Sequence, residues 1–151
     1  MVCISDIHFG ANISAHISIF IETACDTALN PDRTVIIAGD MTQHATEPEY
    51  RDAAELLRKL LDAKLCVVLT PGNHDFGDWI GEYLYTNHAA RNRYRSLTEP
   101  VFSQKEIVAV EDCDSVMRCG GNVFVSLRST HRGKAHSLGV IGINRIREKQ
   151  V

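Results

Sequence analysis

Three short clusters in this chain carry side chains able to hold metal ions and move protons: Asp6-Ile7-His8, Gly39-Asp40 and Gly72-Asn73-His74-Asp75. Carboxylate, imidazole and amide oxygen donors suit Mn, Fe, Zn or Mg. A carboxylate can bridge two cations about 3.5–4 Å apart, and such a pair clamps the attacking and leaving oxygens of a displacement at phosphorus. Water held by such a cation ionises near neutral pH and becomes a nucleophile. The donor set therefore suits a site that holds divalent cations and activates water. Gly39 and Gly72 are expected to let the backbone turn sharply beside the metals.

Taken singly, each cluster is weak evidence. An Asp-x-His is more often a turn residue and a surface imidazole. A Gly-Asp is more often a turn or a helix cap, and Pro71-Gly72-Asn73 is turn-prone. The weight lies in their positions. Each cluster directly follows an apolar segment that reads as a strand: Val2–Ser5, Thr34–Ala38 and Leu65–Leu69. The β-branched run Thr34–Ala38 is typical of a strand buried on both faces.

Helices separate these strands. Ala15–Leu29 places Ile17, Phe20, Ile21, Ala24, Ala28 and Leu29 at a helical period, and Asn30-Pro31 stops it. Glu47–Leu61 forms the second helix, with Thr46 and Glu49 as a capping box and Pro48 in the first turn. The alternation β-α-β-α-β predicts a parallel sheet covered by helices. Ligands of such a sheet bind at the carboxyl ends of its strands. Three strands thus deliver Asp, His and Asn side chains to one edge.

Further along, Phe76 to about Tyr94 reads as a helix carrying Arg91, Arg93 and Arg95. Past Pro100 the segments shorten. Glu106–Val110, Ser115–Arg118 and Val123–Leu127 read as strands, with a hairpin turn at Gly120-Gly121-Asn122. Ser129–Ser137 is a polar, basic loop, Gly139–Ile143 a strand, and Asn144–Val151 the start of a helix. No internal repeat or low-complexity segment interrupts this order, and 151 residues fit one domain.

Apolar residues make up 44% of the chain and charged residues 23%, as in an ordinary soluble protein with a sizeable core. No stretch approaches the roughly 18–20 apolar residues that span a bilayer. The N-terminus has neither the basic nor the long apolar region of a signal peptide. The five cysteines form no Cys-x-x-Cys pair. Cys3 and Cys66 sit in apolar runs and are expected to be buried thiols, which favours a cytoplasmic setting.

Charge is unevenly spread. Residues 1–90 carry 5 basic and 13 acidic side chains, net −8, and residues 91–151 carry 11 and 6, net +5. A nucleic-acid binder usually shows a more concentrated basic stripe, so nucleic acid is not favoured as substrate.

Several other residues have a bland reading that outweighs the functional one. His44 reads as part of a solvated loop, His88 as a helical residue and His16 as a helix-surface residue. Alternate spacing splays Arg91, Arg93 and Arg95 around a helix, which favours a solvated face. His131, Arg132, Lys134 and His136 belong to the polar loop, and Trp79 reads as a packing residue.

In order and spacing, the three clusters resemble the calcineurin-like metallophosphoesterase family. Its pattern runs Asp-x-His, Gly-Asp, Gly-Asn-His-(Asp/Glu), a lone His and then Gly-His-x-His. The resemblance covers roughly the first 75 residues. It implies an α/β fold, a β-sandwich flanked by helices, and hydrolysis of phosphate monoesters or diesters by a metal-bound hydroxide. It also implies two divalent metal ions: Asp6 and His8 on the first, Asp40 bridging, Asn73 on the second. His74 would stand beside the scissile phosphate as general acid or charge stabiliser, and Asp75 would orient His74. Gly39-Asp40-Met41-Thr42 with Glu47-x-x-Tyr50 looks most like the cyclic-nucleotide phosphodiesterase branch, with a phosphate-ester small molecule or nucleotide as substrate.

The lone His and the Gly-His-x-His are absent. Residues 1–151 are therefore read as one incomplete domain, ending before the last metal-binding strands. A second metal would keep only Asp40 and Asn73. An exposed sheet edge or apolar face is expected, and with it self-association. The alternatives to an enzyme of small phosphate esters are a catalytically incompetent, metal-stabilised interaction module and a nuclease.

Overall fold

The computed structural model describes residues 1–10, 14–76, 88–111, 114–119 and 121–127. Strands β1 (Val2–Ile4), β2 (Thr34–Ala38) and β3 (Cys66–Thr70) form a parallel sheet in that order. Val2 lies opposite Val35, and Thr34 opposite Cys66. Helix α1 (Ser14–Cys25) joins β1 to β2, and α2 (Glu47–Asp62) joins β2 to β3.

Side chains alternate between two cores along each strand, as the pleat requires. Val35, Ile37, Val67 and Leu69 pack with Phe20, Ala24, Leu56, Leu57 and Leu60 of the helices. Ile36, Cys66 and Val68 turn the other way, against Met117, Cys119 and Phe124. Both faces of β2 and β3 are covered, which is why their sequences are continuous apolar runs.

The second cover is an antiparallel sheet of β4 (Ile107–Glu111), β5 (Asp114–Cys119) and β6 (Asn122–Ser126), with β5 central. It is fastened to β3 by Ser126 Oγ donating to the Leu69 carbonyl at 2.9 Å and Thr70 Oγ1 to that of Leu127 at 3.4 Å. Helix α3 (His88–Phe102) closes the helical side, burying Ala90, Tyr94, Leu97 and Val101 at a spacing of three and four. The described residues thus build helices, parallel sheet and antiparallel sheet as successive layers, a mixed α/β arrangement consistent with a metallophosphoesterase fold. Among them, no helix is long and apolar enough to cross a membrane.

Helix α2 and its cap follow the sequence reading: Thr46 N–H donates to Glu49 Oε2 at 3.1 Å. Helix α1 stops at Cys25, a turn earlier than its apolar period. Asp26 Oδ1 takes the Ala28 N–H at 2.7 Å, and Asn30 Nδ2 and Arg33 Nη1 donate to the carbonyls of Ala24 and Cys25. The Asn30 and Arg33 side chains satisfy these carbonyls in place of a further helical turn. Phe76 lies in a short 3-10 turn, His74–Phe76, and α3 runs through Pro100 to Phe102. Pro100 sits in the last turn, where its missing N–H removes a single bond.

Cysteine usage differs from expectation. Cys3 is exposed, because the middle residue of edge strand β1 faces outward. Cys66 is not a free thiol: it is joined to Cys119 across the two sheets, with Cα atoms 6.4 Å apart. The edge of β3 is not bare either. The Gln104 side-chain amide mimics a neighbouring strand, accepting from Val67 N–H and donating to the Val67 carbonyl, both at 3.0 Å. The outer face of the antiparallel sheet exposes Val108, Val123 and Val125. The expectations for Trp79 and for everything past residue 127, His131, Arg132, Lys134 and His136 included, lie outside the described residues.

Candidate metal centre

Beyond β1 and β2 the chain leaves the sheet, yet the two exit loops stay zipped together. Asp6 N–H donates to Gly39 O, His8 N–H to Asp40 O, Phe9 N–H to Met41 O and Gln43 N–H to Phe9 O, at 2.7 to 3.1 Å. This fixes Asp6, His8 and Asp40 on neighbouring backbones. All three have left-handed φ, 53°, 51° and 53°. Such values are uncommon away from glycine, although Asp and His tolerate them better than most. Ile7, between Asp6 and His8, points inward and is buried.

As a result, Asp6, His8 and Asp40 each present a ligand atom within 4.8 Å of the others. Asp6 Oδ1 lies 3.9 Å from His8 Nε2. His8 Nδ1 is shut off from solvent without a hydrogen-bond partner among the described residues. The ring turns Nε2 toward Asp6, so an imidazole and two carboxylates converge on one point, a donor set that suits a divalent cation. On that observation the residues fit the metal that their chemistry implies.

The third loop closes on the first two. A Cβ on Gly39, φ 89°, would sit 3.0 Å from the Gly72 nitrogen, and one on Gly72 would run into the Asp40 carboxylate and backbone nitrogen. Gly72 is required for this close approach, not for a sharp turn. Asp40 Oδ1 accepts the His74 N–H at 2.9 Å. The His74 ring stands edge-on to His8, centroids 4.7 Å apart, and its Nδ1 meets the Gln43 carbonyl at 2.7 Å. Asn73 is half-buried on the same loop.

Asp75 does not hold the His74 ring. Its buried carboxylate accepts from Thr42 N–H at 3.0 Å and Gly72 N–H at 2.9 Å. Thr42 Oγ1 also donates to the His74 carbonyl, and Tyr50 Oη donates to that of Asp75. Asp75 therefore fixes the loop, and the ring is set by Gln43. Burial pushes the Asp75 pKa up to about 6, and the nearby Asp40 charge adds to the rise, while the hydrogen bonds from Gly72 and Thr42 pull against it.

Thr42, Gln43, Tyr50 and Arg93 are the supporting residues that sequence reasoning left without a role. Thr42 and Tyr50 were visible in the Gly-Asp-Met-Thr and Glu-x-x-Tyr pattern. Gln43 acts through its main chain, which leaves no mark in residue type. Arg93 is half-buried, not solvated: Nη2 donates to the Ala45 carbonyl at 2.9 Å and its guanidinium lies 5.8 Å from the Tyr50 ring centroid. Arg91 similarly covers the Phe76 ring at 5.9 Å. Arg95, His16 and His44 are exposed.

No curated protein and no solved structure matches the chain. The family model for calcineurin-like phosphoesterases matches residues 1–147. The loops that converge on Asp6, His8, Asp40 and His74 lie within that match, and the chain belongs to the calcineurin-like phosphoesterase family.

Proposed function

We propose that the chain is a hydrolase of phosphate monoesters or diesters working with two divalent cations, from among Mn, Fe, Zn and Mg. One observation carries the reading: the left-handed loops bring ligand atoms of Asp6, His8 and Asp40 within 4.8 Å of one another. Asp6 and His8 would hold the first cation, Asp40 would be shared, and Asn73 would serve the second. Such cations, when bound, ionise water and polarise phosphoryl oxygens.

The protein's own groups supply the rest. A carbonyl only accepts, so the contact with Gln43 places a hydrogen on His74 Nδ1. That leaves His74 Nε2 to work on the substrate. Protonated, it donates to the phosphate or to the departing oxygen; neutral, it accepts. Asp75 positions His74 through the backbone, by bracing Thr42 and Gly72.

Within this class, cyclic nucleotides are the substrate we favour, on the resemblance of Gly39-Asp40-Met41-Thr42 and Glu47-x-x-Tyr50 to that branch. In the structure, Thr42 and Tyr50 brace the His74–Phe76 turn, so that preference stands on resemblance alone.

Hydrolysis of bis-p-nitrophenyl phosphate, with each cation in turn, tests the proposal. The wild type should be active, and His74→Ala and Asp40→Asn should each lower the rate by roughly 10²–10³-fold. A wild type no faster than these variants overturns it. Cyclic adenosine and guanosine monophosphates, offered beside the generic diester, decide the finer preference.

A further inference from the structure

We propose that the Cys66–Cys119 bond is an exchangeable disulfide, reached through a cleft at the far end of the parallel sheet, and that its partners are small anionic thiols. The cleft has a volume of about 610 Å³, and both cysteines line it. Arg33, Lys64, Lys105 and Arg118 surround it, against two acids, Asp32 and Glu106. It lies where β2 and β3 begin, the opposite end from Asp6, His8 and Asp40.

Three features favour exchange. The Cα separation of 6.4 Å lies within the range that a disulfide spans. Cys66 is half-buried and Cys119 buried, so Cys66 offers the sulfur open to attack. The surrounding cations draw in an anionic thiol and stabilise the thiolate that leaves. Arg33 contributes charge from a fixed position, since it also donates to the carbonyls of Cys25 and Ala63.

In the first step a thiolate attacks Cys66 Sγ. The new S–S bond joins the small thiol to Cys66, and Cys119 leaves as thiolate with the old bonding pair. A second small thiolate attacks the sulfur of the first, releasing Cys66 as thiolate and a small-molecule disulfide. The protein gains two electrons, two small thiols are oxidised, and the cysteine thiolates take up protons. Because β3 and β5 belong to different sheets, reduction removes a covalent tie between them, 53 residues apart in sequence. Strand β3 runs directly into Pro71–Asp75, so the loss is felt at the strand that carries His74.

The test uses the full chain, purified without reductant, and reads thiols instead of activity. Alkylation after denaturation, with peptide mapping by mass spectrometry, should show Cys66 and Cys119 protected as one cross-linked pair. Reduced glutathione should open it at least roughly tenfold faster per thiolate than uncharged 2-mercaptoethanol. That advantage should vanish in 1 M salt, as close-range screening demands, and in Lys64→Glu/Arg118→Glu. Opening the pair should lower Tm by about 10 °C, and Cys119→Ser treated with oxidised glutathione should keep one glutathione on Cys66, the other leaving as free thiol. Full alkylation of all five cysteines in the aerobic protein, or equal rates with charged and uncharged thiols, would overturn the proposal.

Discussion

The two ends of the parallel sheet use the same unusual backbone for different reasons. Where β2 and β3 begin, Arg33 and Lys64 have φ of 53° and 59°. Lys64 follows the end of α2, and its conformation is that of a helix stop: Lys64 N–H donates to Leu61 O at 2.9 Å and Leu65 N–H to Leu60 O at 3.2 Å. This is the paired bonding of a Schellman motif, with lysine where glycine is usual. Where β1 and β2 end, Asp6, His8 and Asp40 have the same φ but cap no helix. Their conformation aims side chains at one point. Left-handed residues thus answer to chain direction at one end and to chemistry at the other.

Removing the chemistry while keeping the backbone should give the largest effect. Asn tolerates left-handed φ as Asp does, so Asp40→Asn should lose bound metal and roughly 10³-fold in hydrolysis while its Tm, measured with chelator present, stays near that of wild type. Elemental analysis beside a melting curve decides it. A collapse in Tm would mean that Asp40 is structural.

Next in size is pH dependence. Because the folded pKa of Asp75 is raised to about 6 from an ordinary 3.8, the folded state binds its proton more tightly. That contribution is full below about pH 4 and disappears as pH rises through about 6, a loss on the order of 3 kcal/mol. Denaturant midpoints taken with chelator from pH 4 to 7 should fall in wild type, and the slope should be absent in Asp75→Asn.

Gly72→Ala should cost about 1–3 kcal/mol, because its Cβ overlaps Asp40. Gly121→Ala, in the β5–β6 hairpin with φ of 81° and open space around it, should cost only the left-handed penalty, about 1 kcal/mol. Equal costs in urea unfolding would mean that the loops separate easily. The smallest effect has the opposite sign: Lys64→Gly should raise stability by up to about 1 kcal/mol by relieving a strained helix stop, with no change in metal content.

Much of the scaffold was legible because its signals are local. Thr34–Ala38 is a strand by its own composition, and Thr46 with Glu49 marks the start of α2 before any tertiary contact forms. The metal-site candidates were legible for the same reason, each lying just past an apolar run. What could not be read depends on partners far along the chain. The end of α1 is decided by Asn30 and Arg33, the role of Asp75 by amides of Thr42 and Gly72, and the bond of Cys66 by a residue 53 positions away. Arg93 looked solvated because spacing along α3 says nothing of Tyr50 and Ala45 beside it.

Strand β1 is three residues long and lies at the edge of its sheet, yet the loop it feeds owns both Asp6 and His8. With Asp6 and His8 holding the proposed cation, docking of that strand and occupancy of the centre would be one equilibrium. A cation that binds only the docked form holds the edge down by RT ln(1 + [M]/Kd), and a chelator should let it open. Amide exchange at Cys3, Ile4 and Asp6 would then report free metal concentration, a reading available before any substrate is known.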